Sequence, residues 1–313
     1  MDDLPIGRED VERAAGVIAG RLHRTPTLSC RTLGPHAFLK AELLQRTGSF
    51  KPRGVLTKLA SLTAEEKARG VIAASAGNHA AALAFGAALE GTDALVVMYQ
   101  GASEVKLRAA EAYGASIDLE ATGPGDVFDR LDVLQQETGR VLVHPFDDPL
   151  VVAGQGTVGL EVLEDVPDLR RIVVPCGGGG LVSGIAVSAA DTDIEIVAVE
   201  PESSCALHAA LEAGETTRVE ARSVADGLNA PFAGTLALEI SRTLGVEPVL
   251  VTEEEIAVGF RFLYERAKLA CEPAGAAAVA AVLAGKAEHG HTVCVVSGGN
   301  VAAQTAADIL AGP

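Results

Sequence analysis

The sequence predicts an α/β protein of two lobes, each a mostly parallel sheet flanked by helices. Three observations carry that prediction. Short, continuous apolar runs rich in Val, Ile and Leu alternate with longer helical runs almost throughout. That is the pattern of strands covered on both faces by crossover helices. The chain has 313 residues, beyond the size at which one core usually stops growing. The strand and helix runs also fall into two groups, one before about residue 145 and one after.

The elements read in order. AFLKAE (37–42) is a strand. GVIAAS (70–75) is a second, and NHAAALAFGAALE (78–90) is its helix. ALVVMY (94–99), a helix over 103–113 and SIDLEA (116–121) follow. A helix over about 125–137 leads to the strand RVLVHP (140–145), and a helix around 154–165 leads to RRIVVPC (170–176). Another helix opens after the glycines near 181. IEIVAVE (194–200) is a strand, 204–213 a helix and EPVLVT (247–252) a strand. A long helical stretch starts at 253, and Pro273 is expected to break it. HTVCVVS (291–297) is the last strand, before a C-terminal helix.

Composition excludes several classes. Trp is absent and aromatics are 4%, so Ala, Val, Leu and Gly must build the core. A net charge of -17 repels nucleic-acid phosphates and anionic membranes, so neither is expected as a partner. Five cysteines, an odd number with no CxxC, argue against a disulfide framework and fit a reducing cytoplasm. The acidic start MDDLPIGRED does not have the pattern of a signal peptide, and none is expected. The longest apolar run, Ala274 to Ala284, is too short and too Ala-rich to span a bilayer.

In open α/β sheets, ligands bind beyond the carboxyl ends of strands. Three strand ends stand out. In PCGGGGLVSG (175–184), four glycines separate a strand from a helix. Glycines let backbone N–H groups approach an anion, and the helix N-terminus adds positive potential. A dinucleotide-binding protein is the rival of another class, with Glu200 where a ribose-binding acid would stand. Counting from Gly178, however, the third glycine of GxGxxG is Ser183, and no GK[ST] is present. In SAGNHA (75–80), Ser75 could cap the helix that starts near Asn78, and the N–H groups of the turn could bind a carboxylate. His79, in the first turn of that helix, is read as structural. In SGGN (297–300), Ser297 could cap a following helix or bond a ligand.

GSFKPRGV (48–55) holds a lysine beside Phe50, between Gly48 and Gly54. A lysine in an apolar pocket loses charge stabilisation, its pKa falls, and its neutral amine can attack a carbonyl. A phosphate cradle, a lysine nucleophile and a lone hydroxyl together suggest pyridoxal 5'-phosphate.

GSFKPRG, SAGNHA, HPFDDPLVVAGQGTVGLE, PCGGGGL, ADGL, EPAGA and SGGN occur here in the order in which they occur in one enzyme group. The chain resembles the threonine dehydratase and serine racemase group of pyridoxal-phosphate enzymes, of the tryptophan-synthase-β fold type, and threonine dehydratases most. The resemblance runs from RTPT (24–27) to Asn300. It implies that Lys51 forms the Schiff base, that Phe50 borders the ring and that Asn78 bonds the cofactor's 3-hydroxyl. Gly177, Gly178, Gly179, Gly180 and Leu181 would hold the phosphate, and Ser297 would face the pyridine nitrogen. The turn Ser75, Ala76, Gly77, Asn78 and His79 would receive the substrate carboxylate through backbone N–H groups. Glu272 would lie near the pocket.

The implied reaction is α,β-elimination on L-threonine, L-serine or both, giving a 2-oxo acid and ammonia. A serine racemase and a hydroxyaspartate-type dehydratase are the alternatives within the group. Serine racemases carry a second Ser in the turn, where this chain has Ala76, which has no proton to give. The group's divalent-cation site would start at Glu200, but its second carboxylate position is Ala206, so no metal is expected. The resemblance further implies a large cofactor-binding domain (1–60 with 146–313), a small mobile domain (61–145) and a cytoplasmic homodimer. No C-terminal regulatory domain is expected.

Overall fold

The structure, a computed structural model, describes residues 4–75, 77–101, 104–123, 126–287 and 290–312, without the side chains of Val105 and Lys106. Ala76 lies outside the described residues.

Helix α1 (Arg8–Ile18) precedes strands β1 (Thr27–Ser29) and β2 (Ala37–Ala41). Two short 3-10 turns lead to α2 (Pro52–Ala60) and α3 (Ala64–Arg69). Then follow β3 (Val71–Ala74), α4 (Asn78–Glu90), β4 (Ala94–Tyr99), α5 (Glu104–Ala112), β5 (Ser116–Ala121), α6 (Val127–Thr138) and β6 (Val141–Leu142). The chain continues through α7 (Pro149–Asp165), β7 (Arg171–Pro175), α8 (Gly180–Ser188), β8 (Glu195–Pro201) and α9 (Ala206–Ala213). It ends with α10 (Thr235–Leu244), β9 (Glu247–Val251), α11 (Glu253–Phe262), α12 (Pro273–Leu283), β10 (Thr292–Val296) and α13 (Ala303–Ala311).

The strands form two sheets, as the alternation predicts. One has the order β1-β2-β10-β7-β8-β9 and the other β5-β4-β3-β6. Every pairing is parallel except β1 with β2. The grouping of strands at residue 145 needs correction: β1 and β2 cross over to join the sheet built from the later strands. Strand β2 pairs with β10, Ala41 beside Val296, because its buried Ala and Leu side chains fill the same layer as the fully buried TVCVV of β10.

Pro273 does not end the helical stretch from 253. The chain turns at Lys268, which sits at φ 60, after a π-helical turn over Leu263–Ala267, and Pro273 occupies the first turn of α12. A first-turn proline gives up no intrahelical bond there, so it opens a helix more readily than it breaks one.

Small residues bring three helices together. A Cβ on Gly154 of α7 would stand 2.6 Å from the Arg53 carbonyl oxygen, and one on Gly156 would stand 2.6 Å from that of Gly184 in α8. Helix α7 therefore packs backbone to backbone against α2 and α8, which fixes the segment that follows Lys51 against the helix that follows the glycines.

The order β2-β10-β7 also places the site. Three neighbouring parallel strands point the same way, so the chain leaving β2 toward Lys51, Ser297 after β10 and the glycines after β7 gather at one sheet edge. A bridge between Ser49 and Gly298 ties the first two together. Among the described residues no helix is long and apolar enough to cross a membrane.

Candidate active site

Lys51 stands immediately before α2, with Pro52 in the first turn. Its Nζ donates to the Pro145 carbonyl at 2.8 Å and lies 5.1 Å from the centre of the Phe50 ring. Burial of the amine pulls its pKa down to about 8, against an opposing pull from Glu272. The residue is half-buried, so the enclosed part is the amine end. Among the described residues no carboxylate comes within ion-pair distance of Nζ. The amine is thus partly neutral near physiological pH, the state a nucleophile or base needs.

The glycine loop follows β7. Gly179 has φ +90, a conformation that L side chains rarely adopt, and α8 begins at Gly180. Among the described residues none of the N–H groups of Gly177 to Val182 meets a backbone or side-chain acceptor. Six donors at a helix N-terminus form an anion cradle. The Phe146 ring occupies the position where a Cβ on Gly178 would stand.

Asn78, the first residue of α4, links the two sheets. Its Nδ2 donates to Glu272 Oε1 at 2.6 Å, and its Oδ1 accepts from Asn300 Nδ2 at 2.8 Å. Asn300 Nδ2 also donates to the Thr47 carbonyl at 2.7 Å. These bonds fix which way the amide faces and leave Asn78 one spare N–H. Ser297 is 4% exposed, and its carbonyl accepts from Phe50 N–H at 3.2 Å.

Among the described residues neither serine that could cap a helix does so. Ser75 Oγ accepts from Gly77 N–H inside the turn, not from the helix, at 3.1 Å. Helix α13 starts only at Ala303, too far on for Ser297 to cap it. His79 Nε2 bonds the Val143 carbonyl at 2.8 Å, and burial first, then Lys51, lowers its pKa to about 3. It is therefore a neutral, wedged ring, in line with a structural role. Glu200 directs both carboxylate oxygens at the start of α9, accepting from Leu207 N–H at 2.7 Å and His208 N–H at 2.8 Å. Burial raises its pKa to about 7. Among the described residues no three potential metal-ligating side chains converge.

Lys51, the glycine loop, Asn78 and Ser297 therefore share one site. Glu272, expected near the pocket, meets the site through Asn78. The bonds of Asn300 and the Pro145 carbonyl are additions that the sequence did not disclose.

A family model described as pyridoxal-phosphate dependent enzyme matches residues 18–299. The chain belongs to this family. Among its relatives in the family is the L-threonine ammonia-lyase of Thermotoga maritima, 42% identical over 301 residues, 94% of this chain and 75% of the relative. A threonine deaminase from T.th. superposes with a TM-score of 0.89 at 39% identity, over 95% of this chain and 99% of that one. Maize serine racemase superposes with a TM-score of 0.90 at 34% identity, over 96% and 95%. The donor set suits the family's cofactor. An enclosed amine with a pKa of about 8 matches an aldehyde, a cradle of unpaired N–H groups matches a phosphate, and a spare amide N–H matches a ring oxygen.

Proposed function

We propose that this protein is a pyridoxal-phosphate-dependent ammonia-lyase that converts L-threonine, L-serine or both to a 2-oxo acid and ammonia. The observation that carries the proposal is the enclosed Lys51 amine, with a pKa of about 8, at the same sheet edge as the glycine cradle. Relatives named L-threonine ammonia-lyase support the substrate class.

When bound, pyridoxal phosphate supplies an aldehyde that joins an amine and a ring that draws electrons from the substrate's Cα. The chain's own residues do the rest. The N–H groups of Gly177, Gly178, Gly179, Gly180 and Leu181 would hold the phosphate. Lys51 would hold the cofactor through its amine and would take the Cα proton at Nζ. Phe50 would border the ring, Asn78 would offer its spare N–H to the 3-oxygen, and the Ser297 hydroxyl would face the ring nitrogen. Backbone N–H groups of the turn from Ser75 to His79 would hold the substrate carboxylate. A hydroxyl partner for the ring nitrogen makes a weaker electron sink than a carboxylate partner, which favours elimination.

Racemisation also needs an acid on the opposite face of the substrate. Ala76 lacks the hydroxyl for that, which weighs against a racemase despite the likeness to maize serine racemase. The proposal includes a cytoplasmic homodimer, and the five free cysteines suit a reducing compartment. It also takes residues 61–145 as the smaller, mobile domain, with the separate sheet β5-β4-β3-β6 in support.

The test is turnover of a panel of β-hydroxy amino acids by the cofactor-loaded protein, scoring ammonia, 2-oxo acid and D-product together. Ammonia and 2-oxo acid from threonine or serine, with little D-product, are expected. D-serine formed as fast as ammonia would overturn the assignment to elimination.

A further inference from the structure

The segment His144–Asp148 lies between β6 and α7, and two of its residues, Pro145 and Phe146, meet the site. The Pro145 carbonyl accepts the bond from Lys51 Nζ at 2.8 Å. The Phe146 ring lies over Gly178, and its carbonyl oxygen stands 2.9 Å from where a Cβ on Gly180 would be. Asp147 accepts from Thr235 N–H at 3.1 Å and Leu236 N–H at 3.0 Å, at the start of α10. Asp148 caps α7 through Leu150 N–H (2.9 Å) and Val151 N–H (3.2 Å), and pairs with Lys58 of α2 at 2.7 Å.

His144 holds this segment in shape. Its Nδ1 accepts from Asp147 N–H at 2.8 Å and from Phe146 N–H at 3.3 Å, so a side chain closes the turn. Its ring meets the Phe146 ring edge-on, with centroids 4.7 Å apart, and lies 6.3 Å from the Phe128 ring. Only an imidazole with Nδ1 unprotonated can accept these bonds. Burial lowers the His144 pKa, and the charged groups that act on it are Asp147, Lys51 and Asp148. The ring therefore stays neutral where the site works.

We propose that His144 is a positioning residue of this site: the turn closed on its Nδ1 sets the Pro145 carbonyl against the Lys51 amine and seats the Phe146 ring on the glycine loop. The proposal rests on Lys51 as the cofactor-bearing residue. Its consequence is that the state of Lys51 and the retention of cofactor depend on an acceptor at position 144, although His144 contacts neither the amine nor the phosphate cradle.

The experiment compares His144→Asn, whose Oδ1 can accept the same two N–H groups, with His144→Leu, which has similar bulk and no acceptor. Lys51 in the cofactor-free protein is labelled competitively with acetic anhydride across pH and read by peptide mass spectrometry. Pyridoxal-phosphate affinity is measured in parallel by titration. In His144→Leu the turn opens, the amine gains water, and its labelling profile moves up toward that of an ordinary lysine. Labelling at pH 7.5 is expected to fall about tenfold, and cofactor affinity to weaken about tenfold, while His144→Asn stays within about twofold of wild type. Should the Leu variant not fold, His144→Phe, which keeps a ring and has no acceptor, serves the same comparison. Labelling and affinity of Leu or Phe equal to wild type would overturn the role of His144. Borohydride trapping separates the two proposals. If wild-type Lys51 takes up no cofactor, the assignment of Lys51 fails; if it does and the variants match it, only the role of His144 fails.

Discussion

Two cationic side chains stand two residues apart, and their surroundings are opposites. The Lys51 amine is enclosed with a carbonyl and an aromatic ring for company, and its pKa falls to about 8. Arg53 is fully buried on α2 and meets two carboxylates. It binds both oxygens of Glu42 at 2.8 Å and both oxygens of Glu161 at 2.7 and 3.0 Å, with Thr157 as a further acceptor at 3.0 Å. Lys40 joins the cluster through Glu161 at 2.7 Å and also reaches Asp165 at 3.8 Å. Burial alone would lower the Arg53 pKa too, but Glu42 and Glu161 more than reverse it. Burial therefore does not decide what a cation does. The partner set decides whether it becomes a fixed anchor or a group able to give up its proton.

The sharpest way to break the comparison is Lys51→Met. Turnover should fall by roughly 10³–10⁴-fold or more, because nucleophile and base are lost together, as ammonia release would register. The cofactor-free variant should also be more stable than wild type at neutral pH. Wild-type Lys51 titrates near 8 in the fold and near 10.5 unfolded, so between those values the unfolded chain holds a proton the folded chain has released. Wild-type stability thus rises with pH across that window. The advantage of Met is full below about pH 8 and gone above about 10.5. Its ceiling is about 3 kcal/mol, less whatever water the half-buried side chain keeps. Denaturation midpoints at pH 7 and pH 10.5 check it, and an advantage independent of pH would contradict the lowered pKa.

Arg53→Met should act in the reverse sense. It strands Glu42 and part of Glu161 in the interior and should cost about 3–5 kcal/mol, read from denaturant midpoints. Arg53→Lys should lose less, keeping the charge without the fork. A Met variant as stable as wild type would make the cluster dispensable and leave the contrast with Lys51 without content.

How much of this was legible follows from the range of each interaction. Lys51, the glycine run and Ser297 could be read because each sits in a local strand-end motif. The parallel sheets could be read because continuous apolar strands demand cover on both faces. The three-residue edge strand β1 could not, having no periodicity to show. Helix α2 was hidden because Gly54 stands in its first turn, where a loop is the easier reading, although Gly54 is what lets α7 approach. The Asn78 bonds to Glu272 and Asn300 span 194 and 222 residues, and the Arg53 bond to Glu161 spans 108. No local pattern encodes such pairings; they exist only once the strand order is set.

The mildest change concerns Glu272, among the described residues the carboxylate that pulls the Lys51 pKa upward. It is 1% exposed and accepts from Asn78 Nδ2 at 2.6 Å, so it acts both as a charge and as an acceptor. Glu272→Gln separates the two, because the amide oxygen can still accept from Asn78 while the charge is gone. With less opposition to burial, Lys51 should titrate below about 8, and its labelling profile should move to lower pH by less than about one unit. Cofactor affinity should hold, since Asn78 keeps its orientation. Glu272→Ala removes the acceptor as well, so affinity should fall several-fold on top of the same pH shift. If Gln left the Lys51 profile in place, Glu272 would act only through Asn78. If Gln moved it upward, the carboxylate would not be raising the Lys51 pKa at all, and the proton balance of the amine would have to come from the Pro145 carbonyl and burial alone.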